Sequence, residues 1–195
     1  MILLPAVALG FLIGIGWASL RGYAYKIPDL QYLWLVFIAF LPQVVTLYVP
    51  SLREQVSDGW AGILLTASQL LLLGFAWLNR KQAGMKLLLL GAALNFTVMA
   101  VNGGFMPISP QTASRLVSAE VLADIPTGSR FGVKDVLLTP ENTRLEWFAD
   151  RFLPPEWFDY QVAFSLGDVF IVFGVFWLLA VQEGTPLQSE KRISI

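Results

Sequence analysis

Cysteine and histidine are both absent from this chain of 195 residues. Their absence excludes disulfides, thiolate nucleophiles, imidazole general bases, His-ligated haem and Cys or His zinc sites together. Charge is also scarce: 14% of the residues are Asp, Glu, Lys or Arg, and the formal net charge is -1. The 13 Lys and Arg form no basic face able to neutralise a run of phosphates, so nucleic acid is not an expected partner. "NGGFMP" at 102–107 is no phosphate-cradling loop, because the strand before it and the lysine of a P-loop are both missing. Chemistry is left to Asp, Glu, Lys, Arg, Ser, Thr and Tyr, and neither a metal nor a cofactor is expected.

Apolar residues are plentiful. At 56% hydrophobic and a mean hydropathy of +0.64, the composition is that of a polytopic integral membrane protein. Five stretches, 1–20, 30–50, 60–79, 84–102 and 161–182, approach or exceed the roughly 20 residues a helix needs to cross the hydrocarbon. The expected fold class is therefore all-α, a single membrane domain of five transmembrane helices. The first stretch lacks a basic leader and reaches Arg21 only after a full-length apolar run, so it reads as a retained span and not as a cleaved signal. Segment 103–160 carries more than half of the chain's 11 prolines and many charges, which places it outside the hydrocarbon.

Basic residues near a span resist translocation. Arg21, Lys26, Arg80, Lys81, Lys86, Lys191 and Arg192 gather on one side, against Arg53 alone in the 51–59 loop. An outside N-terminus, an inside C-terminus with a cytoplasmic tail at 183–195, and an external 103–160 segment satisfy these flanks. Trp17, Trp34, Trp77 and Trp177 then fall at the inner boundary, and Tyr48, Trp60, Trp157 and Tyr160 at the outer one.

Gly10 and Gly14 form a GxxxG ridge on the first span, and Gly91, Ala92 and Ala93 thin the fourth; such residues either admit a neighbouring helix or are ordinary membrane-helix glycines. Pro42 should kink the second span, and Gln43 can be satisfied there or by a neighbour. In the external segment Ser109–Pro110 and Thr139–Pro140 read as helix starts. After the second, Leu145, Trp147, Phe148 and Phe152 oppose Glu141, Arg144, Asp150 and Arg151, which predicts a short amphipathic helix on the outer interface or capping the bundle. The seven acids from Glu120 to Glu156 read as solvated surface charge.

One residue contradicts its surroundings. Asp168, in "AFSLGDVFIVFGVFWLLAV", is the only ionisable side chain deep in a span, about 12 Å below Tyr160 at 1.5 Å per residue. An intramembrane acid costs about 3 kcal/mol or more unless it is paired, protonated or hydrated. Asn95 and Asn102 share a face of the fourth span and, with Ser165, can hydrogen-bond it. Either these residues make a polar clasp between helices, or they line an outward-facing pocket to which Lys134 or Arg144 adds positive charge. A proton or ion path is a third option.

"NGGFMP" after the fourth span, "KDVLL" with "TRL" in the external segment and "SLGD" at the last span resemble an uncharacterised family of small bacterial multi-pass membrane proteins. The resemblance implies the bacterial cytoplasmic (inner) membrane and this architecture, with shared positions at Asn102, Gly103, Gly104, Met106, Pro107, Lys134, Thr143, Arg144, Gly167 and Asp168. "FSLGDVFIVFGVFWLL" is also similar to the last helix of lipoprotein signal peptidase, an intramembrane aspartyl protease. That resemblance puts Asp168 in the place of one catalytic aspartate, and "GAALNFTV" matches the preceding helix through Gly91 and Asn95. Val98 stands where the second aspartate belongs, so it implies a degenerate relative.

The leading expectation is a non-catalytic membrane binding or accessory protein. Its outer pocket, lined by Asp168, Asn102, Asn95, Arg144 and Lys134, would hold a lipid headgroup, a lipid-linked molecule or a partner segment. An enzyme on a lipid or membrane peptide, with Asp168 as general acid or base, is the rival. A structural subunit of a larger membrane complex is the third reading.

Overall fold

Long apolar helices run side by side in this computed structural model, which describes residues 3–53, 55–158, 160–182, 184 and 186, without the side chains of 45–48 and 50. In chain order they are α1 (Leu3–Leu20), α2 (Trp34–Tyr48), the single turn α3 (Pro50–Arg53), α4 (Asp58–Leu78) and α5 (Met85–Val101). The short α6 (Pro110–Ala113) and α7 (Ala119–Ala123) follow, then α8 (Leu166–Ala180). Two of these, α1 and α4, are long and apolar enough to cross a membrane; α2, α5 and α8 are apolar but shorter, at 15, 17 and 15 residues. The bounds of α1, α2, α4, α5 and α8 fall inside the expected stretches or within two residues of them. Lys191 and Arg192 lie outside the described residues, as does the Tyr48 side chain.

The packing order across the bundle is α2, α4, α5, α8, α1. Small residues set it. On α1 the buried positions are Ala6, Gly10, Gly14 and Ala18, a stripe with a four-residue period that meets α8. A Cβ on Gly14 would lie 2.4 Å from the Leu179 carbonyl oxygen. Between α5 and α8 the approach is closer still: a Cβ on Gly91 would lie 2.3 Å from the Gly167 carbonyl oxygen. Pro42 stays within α2, and Gln43 finds its partner on α4, donating to Ser68 Oγ, whose own hydroxyl donates to the Ala39 carbonyl over 2.7 Å. At the opposite end the buried Asn79 amide exchanges hydrogen bonds with the backbone of Gln31 over 2.8 and 2.9 Å, tying the turn before α2 to the end of α4.

The 103–160 segment corrects the all-α expectation. Its described residues hold a three-stranded sheet of order β1-β3-β2: β1 (Met106–Ile108) runs parallel to β3 (Asp135–Leu137), and β2 (Arg130–Phe131) runs antiparallel to β3. Strand β1 continues straight from α5 through Gly103 and Gly104, both at positive φ, where a Cβ on Gly104 would strike Gly62 of α4. The Ser109 cap forms as expected, its hydroxyl accepting from Thr112 N–H over 3.2 Å. The amphipathic helix after Thr139 does not form. Two single 3-10 turns stand in its place, Pro140–Asn142 and Glu146–Phe148, because Leu145 adopts φ +56 and breaks the run. Trp147 stays exposed beneath the Arg151 guanidinium, while Asp150, expected among the surface acids, is 1% exposed.

Candidate functional site

Asp168 is not buried deep along a helix; it occupies the first turn of α8, because the helix begins only at Leu166. Ser165 caps it. The Ser165 hydroxyl accepts from Asp168 N–H and the Asp168 carboxylate accepts from Ser165 N–H, each over 3.0 Å, a reciprocal capping box that places a negative charge at the positive end of α8. The other carboxylate oxygen accepts from the Asn95 side-chain amide of α5 over 2.9 Å, and the Asn95 oxygen accepts from the fully buried Ser165 hydroxyl over 2.8 Å. Gly167 makes this possible: a Cβ there would lie 2.0 Å from that Asn95 oxygen.

Lys134 reaches the same place from the sheet. It occupies the turn between β2 and β3, and its carbonyl accepts from Met106 N–H over 2.9 Å. On the other edge of β1, Asp150 N–H donates to the Pro107 carbonyl over 3.1 Å. The strand is thus bracketed by Lys134 and Asp150, and the Lys134 ammonium donates to the buried Asp150 carboxylate. Asp135 lies 3.0 Å from the same ammonium. Burial pushes the Asp150 carboxyl up, and Asp135 and Asp168 add to this against the opposing Lys134, bringing it to about 7. Burial alone would lower the Lys134 ammonium, but Asp135, Asp150 and Asp168 outweigh it and hold it above the ordinary lysine range.

Asn95, Lys134 and Asp168 line one cavity of about 320 Å³. Its remaining wall is almost wholly apolar, drawn from α2, α4, α5 and α8 with Leu3 of α1 and Met106 of β1, and Gln69 is the other polar residue on it. The chain therefore presents charge at one end of a hydrocarbon-lined chamber. Among the described residues no three carboxylates are disposed to hold a metal ion.

Asn102 and Arg144 are brought to each other but not to Asp168. The Asn102 side chain clasps the Arg144 backbone, donating to its carbonyl over 2.8 Å and accepting from its N–H over 3.0 Å. Both line a second cleft of about 500 Å³ with Asp58, Arg130 and Asn142, and no residue is shared by the two spaces. Asp150 and Asp135 were missed as members of the polar cluster. Asp135 follows Lys134 directly in sequence, whereas Asp150 reaches it only through the bridge beside β1, which no periodicity marks.

Val98, at the position of the missing aspartate, is buried among Ala61, Leu65, Met99 and Met106. No solved structure matches the chain. An uncharacterized protein of Thermotoga maritima is 30% identical over 117 residues, which cover 60% of this chain. The match spans 62% of that relative's length. Residues 28–180 match a family of unknown function, DUF5317, and this range contains Asn95, Asn102, Lys134, Arg144 and Asp168. With most of its length matched, the chain belongs to the DUF5317 family.

Proposed function

We propose that this is an integral inner-membrane protein of five spans, with N-terminus outside and C-terminus inside, which binds a lipid headgroup or a lipid-linked molecule without catalysis. The sheet end of the bundle is the outer face. Support for the membrane placement comes from the exposed rings: Trp17, Trp34, Trp77 and Trp177 lie towards one end, and Trp60, Trp157 and Tyr160 towards the other. Arg21 and Arg80 sit over Trp17 and Trp77 at the inner end. The three shorter helices reach the interface with their extended flanks, or draw the bilayer thinner around them.

The observation that carries the binding reading is the cavity itself, apolar along its length and charged at the outer end by Asp168 and Lys134. Chain-like apolar ligands with a polar head match that division. The test is mass spectrometry of the protein purified gently from its own membranes. One lipid class retained by the native chain and lost in Asp168→Asn supports the reading; stoichiometric protein partners with no selective lipid, unchanged by that substitution, refute it.

An enzyme reading has one observation in its favour. Asp150, with its carboxyl raised to about 7, supplies a second acid near Asp168 where Val98 supplies none. Asp150 does not line the cavity, and the cavity-lining charge it touches is Lys134. The subunit reading loses its cue, because Gly10 and Gly14 face α8 within the chain.

A further inference from the structure

We infer that the ligand's head is a cation, a primary ammonium on a lipid with a single apolar chain in the cavity, seated against Asp168. This rests on the cavity being the binding site. Three carboxylates surround the one ammonium at the polar end: Asp168 on the cavity wall, and Asp135 and Asp150 behind it. Lys134 commits that ammonium to Asp135 and Asp150, both supplied by the sheet segment. Among the described residues Asp168 forms no salt bridge: Lys134 acts on it only through space, and its hydrogen-bond donors are the Asn95 amide and the Ser165 backbone, both neutral. Of the two charged residues on the cavity wall, the cation is held in salt bridges and the anion, among the described residues, is in none.

An incoming phosphate would meet a surplus of negative charge, whereas an ammonium would complete the one carboxylate that lacks a counter-ion. The space between Asp135 and Asp150 is held by the Lys134 ammonium. That favours an organic cation entering from the cavity side. Below Asp168 the wall is Val36, Phe40, Leu72, Phe75, Ile171 and Val175. At about 320 Å³ the space lies at the small end of ligand pockets, suited to one chain of a lipid.

The test uses the full chain in neutral detergent, with dodecylamine, dodecanol and dodecyl phosphate as probes of equal chain length, and binding read from thermal shift. Dodecylamine should bind about tenfold or more tightly than dodecanol, as a charge-assisted hydrogen bond implies. Asp168→Asn should abolish that preference and leave dodecanol binding in place. Val172→Phe, which fills the chamber without touching a charge, should weaken all three probes together. Equal binding of the three probes, or a preference for dodecyl phosphate, overturns the cation assignment while leaving the cavity as the site. A dodecylamine preference that survives in Asp168→Asn also overturns it. Failure of every probe, unaffected by Val172→Phe, overturns the cavity reading itself. Vesicles of ethanolamine lipid should then displace dodecylamine where phosphatidylglycerol vesicles do not; displacement by phosphatidylglycerol alone overturns the cation assignment.

Discussion

Asn95 donates its side-chain amide to Asp168 over 2.9 Å and so closes α5 onto the first turn of α8. The same side chain accepts from Ser165, which leaves Asn95 with both ends of its amide engaged in a buried place. Replacing it by Ala strands the Ser165 hydroxyl, which is fully buried. Loss of these bonds should cost about 1–3 kcal/mol, read as a lower midpoint of thermal unfolding in detergent. An unchanged midpoint would mean that the pair is not holding the helices.

Glycine substitutions should divide sharply by position. At Gly167 a Cβ strikes Asn95, and at Gly91 it strikes the Gly167 carbonyl, so either Ala variant should force α5 and α8 apart and destabilise by about 1–3 kcal/mol. Gly16 and Gly74 have open space around them within their helices, and Ala there should be neutral or slightly stabilising. The four unfolding midpoints, compared side by side, decide whether the close approach is real.

Stability should depend on pH through Asp150. Its carboxyl is raised to about 7 in the folded protein, above the ordinary value, so the folded state holds the proton more tightly than the unfolded one. That contribution is fully present below the unfolded value near 4 and is lost as the pH rises through about 7. Stability should therefore fall across this window. In Asp150→Asn the fall should flatten, because no proton is released there; a pH profile identical to the native one would sink the assignment.

The missing cysteines turn topology into a simple measurement. Single replacements Glu141→Cys and Lys81→Cys introduce the only thiol in the chain. In intact cells an impermeant maleimide should label position 141 at once, and position 81 only after permeabilisation. The reverse pattern would invert the bundle.

The five apolar helices could be read from composition, because a chain so short of charge leaves few ways to cover its backbone polar groups. Packing partners were partly legible: Gly10, Gly14 and Gly91 do lie at helix contacts, each detectable by the absence of a side chain. The sheet was not. Strands of two and three residues are too short to show alternation, and parallel pairing of β1 with β3 is a long-range event. Asp150 was hidden for the same reason, since its burial follows from its bridge to Ile108 and not from its neighbours in sequence. Asn102 and Arg144 are neighbours through the side chain of one and the backbone of the other, but in a cleft apart from Asp168.

The run from α5 through Gly103 and Gly104 into β1 carries a mechanical consequence. Because the strand is the helix's own continuation, and Lys134 is fastened to Met106 N–H while Asp150 is fastened to Pro107, the sheet cannot lift from the bundle without pulling on the end of α5. The ammonium and its buried carboxylate ride on that stretch of chain, whereas Asp168 rides on α8. Any sliding of α5 along α8, two helices meeting glycine to glycine, changes the gap between Lys134 and Asp168 directly. The charge balance at the mouth of the cavity is thereby geared to the relative travel of two helices.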